Sequence, residues 1–106
     1  KKTDYFDLYG DGVIKIIFTP GHTPGHQSVL INLPKTGHML LTGDACYTGD
    51  HWCDRCLPGL VASASDAADS VAKLRKIAKE TNAKVVWGHD PVTWLDWNKA
   101  PMFYYD

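Results

Sequence analysis

The chain has 106 residues, 44% hydrophobic and 22% charged, a composition that fits one globular domain at most and excludes a disordered polymer. With 11 basic residues against 12 acidic ones and a net charge of −1, nothing electrostatic recommends nucleic acid or an anionic membrane as partner, which leaves a small molecule as the expected one. No stretch approaches the roughly 18 apolar residues of a spanning helix, since even Val13–Phe18 is interrupted by Lys15. The three cysteines, Cys46, Cys53 and Cys56, are an odd set without a secretory signal, so a reducing cytoplasm is the expected location. The chain begins Lys1-Lys2-Thr3 without Met, which points to a processed product or a piece of something longer.

No repeat or linker divides the chain, and residues 1–106 are read as one unit. After an irregular opening, the β-branched run Val13–Phe18 between Gly12 and Pro20 predicts a buried strand. Thr19-Pro20-Gly21-His22-Thr23-Pro24-Gly25-His26 is a tight loop. Gln27–Leu33 resumes a strand, and Pro34-Lys35-Thr36-Gly37 turns the chain into Met39–Thr42 to complete a β-hairpin. Between Gly43 and Ser65 the pattern dissolves into Gly, Asp, Cys, Trp and Pro, a connection long enough to line a pocket. Ala67, Val71, Leu74, Ile77 and Ala78 then recur at helical spacing over 66–81, with Ser65 as the expected N-cap and Asn82 as the stop. Lys73, Arg75, Lys76 and Lys79 read as the solvated face of that helix. Lys84–Trp87 predicts a short buried strand, and the tail carries Trp94, Trp97, Phe103, Tyr104 and Tyr105 as aromatic cover for the core.

His26, Asp44 and His89 each follow a glycine at the end of a loop or strand. Two imidazoles and a carboxylate suit zinc or a similar divalent ion, and the preceding glycine lets the backbone bend so that the ligand can approach. Cys53-Asp54-Arg55-Cys56 is a C-x-x-C, but it lies mid-loop with Pro58-Gly59 following, not at the start of a helix after a strand. The two thiols are therefore read as loop residues near a substrate mouth, with Trp52 beside them as an apolar wall. Cys46, between Ala45 and Tyr47, reads as a small packed residue and, with Trp52, as a candidate for the pocket lining.

Taken together, Thr19–His26, Leu41-Thr42-Gly43-Asp44 and Gly88-His89 resemble the second half of the metallo-β-lactamase-fold hydrolases. Asp44-Ala45-Cys46-Tyr47, His26-Gln27-Ser28 and Gly88-His89-Asp90 narrow the likeness to the N-acyl-homoserine lactonase branch, over roughly Asp7 to Asp106. The resemblance implies an α+β fold, the C-terminal half of an αββα sandwich. It also implies that His26 binds a first metal, Asp44 bridges two and His89 binds the second, whereas His22 is not a ligand. Two Zn2+ ions per complete domain are implied, although other divalent transition metals suit the same donors. On that pattern a bridging hydroxide opens the ester ring of a lactone, with Asp44 and Tyr47 as catalytic residues and the Tyr47 hydroxyl bonding the substrate carbonyl or ring oxygen.

The family's His-x-His-x-Asp-His motif is absent from these 106 residues, so the chain is expected to supply only part of a dinuclear site. Its expected partner is an N-terminal half that carries those ligands, in the same or a separate chain. An open sheet edge and apolar face also leave room for a homodimer. Two rivals stand beside the lactonase reading. One is a thioester, aryl-ester or phosphoester hydrolase on the same fold, and the other is a non-catalytic half-domain that pairs with a partner chain.

Overall fold

The computed structural model describes residues 5–53, 61–99 and 105–106. Strands β1 (Tyr5–Asp7), β2 (Ile14–Phe18), β3 (Gln27–Leu33) and β4 (Gly37–Gly43) form an antiparallel meander, and β5 (Lys84–Trp87) adds parallel to β4, giving the order β1-β2-β3-β4-β5. A parallel neighbour needs a crossover, and helix α2 (Ala64–Thr81) supplies it. Two single-turn helices, α1 (Gly49–Trp52) and α3 (Pro91–Trp94), follow β4 and β5.

Strand alternation sorts the side chains onto two faces. On one, Ile17, Leu30 and Leu40 meet Ala45 and Leu74 of α2 in the core cluster. On the other, the register lines up Phe6, Ile16, Val29, Leu41 and Val86 in one apolar row across all five strands. Phe6 is 64% exposed and the other four are half-buried. Helix α2 buries Ala67, Ser70, Val71 and Leu74, one stripe at helical spacing.

The hairpin, the Gln27–Leu33 and Lys84–Trp87 strands and the αL stop at Asn82 (φ 54°) stand where the residue pattern places them. The two strands expected to be buried are not: β2 starts at Ile14 and buries only Ile17, and β5 is half-buried with Lys84 exposed. Helix α2 starts earlier than expected: Ser63, in extended conformation, accepts from the Asp66 N–H at 3.2 Å, and Ser65 already lies inside the helix. The opening is not wholly irregular, because Tyr5–Asp7 pairs with β2. The basic face of α2 is not purely solvated either. Arg75 Nη1 donates to the Trp52 carbonyl and Lys73 Nζ to the Phe18 carbonyl, both at 2.8 Å. Trp94 is 58% exposed and so does not cover the core, while Trp97 is half-buried and edge-on to Tyr105. Phe103, Tyr104 and residues 54–60, which include Cys56, lie outside the described residues; Cys53 is exposed. Among the described residues no helix is long and apolar enough to cross a membrane.

Candidate active site

The 19–26 loop is folded by its own backbone. The Thr19 N–H donates to the His26 carbonyl at 3.0 Å, and the Gly21 and His26 N–H groups both donate to the Thr23 carbonyl. It is also pinned to α2. Ala62 and Ser63 donate to the Gly21 carbonyl, and the Ser70 hydroxyl donates to the Pro20 carbonyl at 2.6 Å. Gly21 has φ 141°, and a Cβ there would overlap the Ala67 backbone; only glycine lets loop and helix approach this closely.

At the end of β4 the pairing register shifts between Leu41 and Gly43, an irregularity of the kind that re-aims the next side chain. Asp44 follows directly. The start of the β5–α3 turn lies against it, since a Cβ on Gly88 would overlap the Gly43 carbonyl. Gly88 and His89 donate their N–H groups to the Cys46 and Tyr47 carbonyls at 3.1 and 2.9 Å. The ends of β4 and β5 are thereby tied together, which brings His89 to Asp44 and Tyr47.

The resulting cluster is centred on the Asp44 carboxylate. His89 Nε2 lies 2.8 Å from Oδ1 and His22 Nε2 lies 3.4 Å from Oδ2. The Asp44 N–H donates to His26 Nε2 at 3.1 Å. Tyr47 packs its ring 4.6 Å from that of His89 and sets its hydroxyl 3.3 Å from His22 Nδ1. His89 and Asp44 keep side-chain exposures of 61% and 40%, so the carboxylate and the imidazole beside it are open to a ligand from solvent.

His26, Asp44, His89 and Tyr47, singled out from the sequence, thus lie in one cluster. Cys46 does not line it: at 0% exposure it is a core residue whose Sγ faces the Thr48 carbonyl, which corrects its expected place in the pocket wall. Trp52 is half-buried and borders a hollow of about 520 Å³ with Thr48, Trp87 and Pro91.

Two further residues belong to the arrangement without having been picked out. His22, set aside because of the family pattern, faces both Asp44 and Tyr47; its only signal was its place in the same tight loop as His26. Asp90 accepts from Gly49 N–H at 3.0 Å and from Val92 and Thr93 N–H at 3.0 and 3.3 Å. The Gly49 bond holds its carboxyl below the usual 3.8, assisted by the Thr93 and Val92 bonds and opposed by burial. Asp90-Pro91 is a recognisable signal in retrospect, a carboxylate N-cap followed by proline at the first helical position.

The donors suit a divalent transition metal, being imidazole nitrogens and a carboxylate with two usable oxygens. Among the described residues, however, no three His, Cys, Asp or Glu side chains are arranged to hold a metal ion. Two of the sequence-derived ligands, Asp44 and His89, face each other directly, whereas the His26 Nε2 lone pair is turned onto the Asp44 amide. The residues therefore fit one side of a metal site.

A meander closed by a parallel strand, with His and Asp gathered at the strand ends, defines a class, and the chain belongs to the metallo-beta-lactamase superfamily, whose family model matches residues 2–89. Within that class the chain is similar to the N-acyl homoserine lactonase AttM of Azorhizobium caulinodans, 55% identical over 101 residues that make up 95% of this chain and 38% of the relative. An N-acyl homoserine lactonase of Bacillus cereus is 38% identical over 77 residues, 73% of this chain and 30% of the relative. A solved N-acyl homoserine lactone hydrolase, with the product N-hexanoyl-L-homoserine at its catalytic metal center, superposes with a TM-score of 0.83 at 28% identity, over 94% of this chain and 39% of that one. The chain thus spans well under half the length of the relatives it matches.

Proposed function

We propose that residues 1–106 are the C-terminal portion of a metal-dependent lactonase domain that opens N-acyl homoserine lactones, a quorum-quenching reaction. The observation that carries this reading is the Asp44 carboxylate held between two imidazoles, with the Tyr47 hydroxyl alongside, in a chain 55% identical to lactonases. Asp44, His89 and His26 would hold the metal, zinc being the ion we expect, with about two per complete domain. When bound, divalent cations supply a Lewis acid for the ester carbonyl and a water ionised near neutral pH. The remaining ligands come from an N-terminal portion carrying His-x-His-x-Asp-His.

The chain's own residues orient the substrate. The Tyr47 hydroxyl, on a half-buried side chain beside His22, would donate to the lactone carbonyl or ring oxygen as negative charge develops there. Trp52, which also packs against the core, and Trp87 lie edge-on at 6.2 Å between centroids and would offer the acyl chain an apolar wall in the hollow they share with Asp90 and Pro91. The cysteines, none of which the reading requires in a disulfide, accord with a cytoplasmic location.

The test is proton release from an N-acyl homoserine lactone by the chain joined to its N-terminal portion. Ring opening should stop on chelation and return with zinc, and Tyr47→Phe should lower kcat on the order of 10²-fold. Ring opening that survives chelation, or zinc-loaded protein that leaves the lactone intact, contradicts the reading.

A further inference from the structure

Three hydroxyl residues lie fully inside the protein beside His26: Thr19 at 0% exposure, Ser28 at 1% and Thr42 at 0%. Buried hydroxyls are tolerated where each finds a partner, and here Thr19 and Ser28 form a line that ends on the imidazole. The Ser28 hydroxyl donates to the Thr42 carbonyl at 3.0 Å. A hydroxyl has one proton, so the 2.9 Å contact between Thr19 Oγ1 and Ser28 Oγ must be donated by Thr19. That uses the Thr19 proton, and the 2.9 Å contact between Thr19 Oγ1 and His26 Nδ1 must then be donated by Nδ1–H. A separate observation agrees: the Asp44 N–H donates to Nε2, which is possible only if Nε2 carries a lone pair.

From this directionality we infer that Thr19 and Ser28 are positioning residues that hold His26 as the Nδ1–H tautomer, with the Nε2 lone pair turned toward Asp44. The inference deepens the proposed function and rests on His26 being a ligand there. A ligating histidine needs a lone pair on one nitrogen and the ring held by a bond to the other; the relay holds Nδ1–H, and the Nε2 lone pair accepts from the Asp44 N–H, a bond it would give up on ligating. The relay also accounts for the two buried hydroxyls of Thr19 and Ser28; Thr42 contributes its backbone carbonyl, and its own hydroxyl donates to the Cys46 carbonyl at 2.9 Å.

The relay makes a prediction that simple packing does not. In Ser28→Ala the Thr19 proton loses its acceptor and can turn to His26 Nδ1, so the Nδ1–H form is left to the Asp44 N–H alone and the Nε2–H form gains population, although Ser28 has no hydrogen bond to the imidazole. Thr19→Val removes the acceptor for Nδ1–H at nearly constant volume, and Thr19→Ser restores it.

The experiment is long-range 1H–15N correlation of the histidine rings in the protein comprising this chain and its N-terminal portion, stripped of metal, followed by titration with zinc chloride. His26 should show a protonated Nδ1 and an unprotonated Nε2, and Ser28→Ala should shift the ring toward Nε2–H. Thr19→Val should require about tenfold more zinc for the same displacement of the His26 signals, while Thr19→Ser stays near wild type. A wild-type ring in the Nε2–H form, a Ser28→Ala ring unchanged in tautomer, or equal zinc demand in Thr19→Val and wild type overturns the relay. His26 signals that keep the Nδ1–H form but ignore zinc would overturn His26 as a ligand and leave the relay's hydrogen bonding intact. Any variant that fails to fold is recognised by its amide spectrum, and Thr19→Ser then decides, because it must retain the wild-type tautomer.

Discussion

At Asp90 a single carboxylate accepts from three backbone N–H groups, those of Gly49, Val92 and Thr93, and so joins the turn that carries His89 to the start of α1. Asparagine keeps one carbonyl oxygen to cap α3 but presents an amide N–H₂ toward Gly49, whereas alanine loses both contacts. Thermal unfolding should therefore rank wild type above Asp90→Asn and Asp90→Ala lowest. Equal midpoints for the two variants would mean that the Gly49 bond alone carries the effect. Residue types at strand ends made His26, Asp44 and His89 legible from the sequence, because few residue types serve as metal donors. Thr19, Ser28, His22 and Asp90 were not legible, since a hydroxyl or carboxylate in a loop or strand shows its partner only after distant segments are brought together. Cys46 misled for the same reason: next to Asp44 in sequence, it points into the core.

Between elements, contact distance is set by glycine at the two places where the site is assembled. Gly21 seats the histidine loop on α2, and Gly88 seats the β5 end on Gly43. Gly21→Ala forces a Cβ into the Ala67 backbone and strains a positive φ, and should cost about 1–3 kcal/mol or more in denaturant unfolding. Gly25→Ala, four residues on in the same loop, meets nothing within 4 Å and should stay within about 0.5 kcal/mol. Similar losses at both positions would show that the loop is rigid for reasons other than its seat on α2. Elements whose apolar period runs over several residues, such as β3 and α2, were legible because burial of one face dictates that period. The three-residue β1 and the four-residue α1 and α3 are too short to carry a period. β1 exists by pairing with β2, whereas α1 and α3 are set by their N-caps Thr48 and Asp90, and the Gly49–Asp90 bond ties the two turns together. The start of α2 is ambiguous in the sequence because Ser63 and Ser65 are both acceptable caps, and the backbone bonds from Ala62 and Ser63 to Gly21 decide for Ser63.

Across the whole molecule the two faces of the sheet are unequal. One is packed by α2, and the other carries the Phe6, Ile16, Val29, Leu41 and Val86 row together with exposed Phe18. Large contiguous apolar surface on a soluble protein marks an interface, and in the reading proposed above it receives the second sheet of the sandwich. An Ile16→Lys substitution should then weaken association with the N-terminal portion while leaving α2 packing, seen in the Leu74 methyl signals, unchanged; undiminished association would place that interface elsewhere. Whether Asp44 ligates is read from zinc per molecule, by elemental analysis, in the protein comprising this chain and its N-terminal portion, compared with Asp44→Ala. The wild type should hold about two zinc ions and the variant at least one fewer, with circular dichroism unchanged. A zinc content that Asp44→Ala leaves untouched would contradict ligation by Asp44.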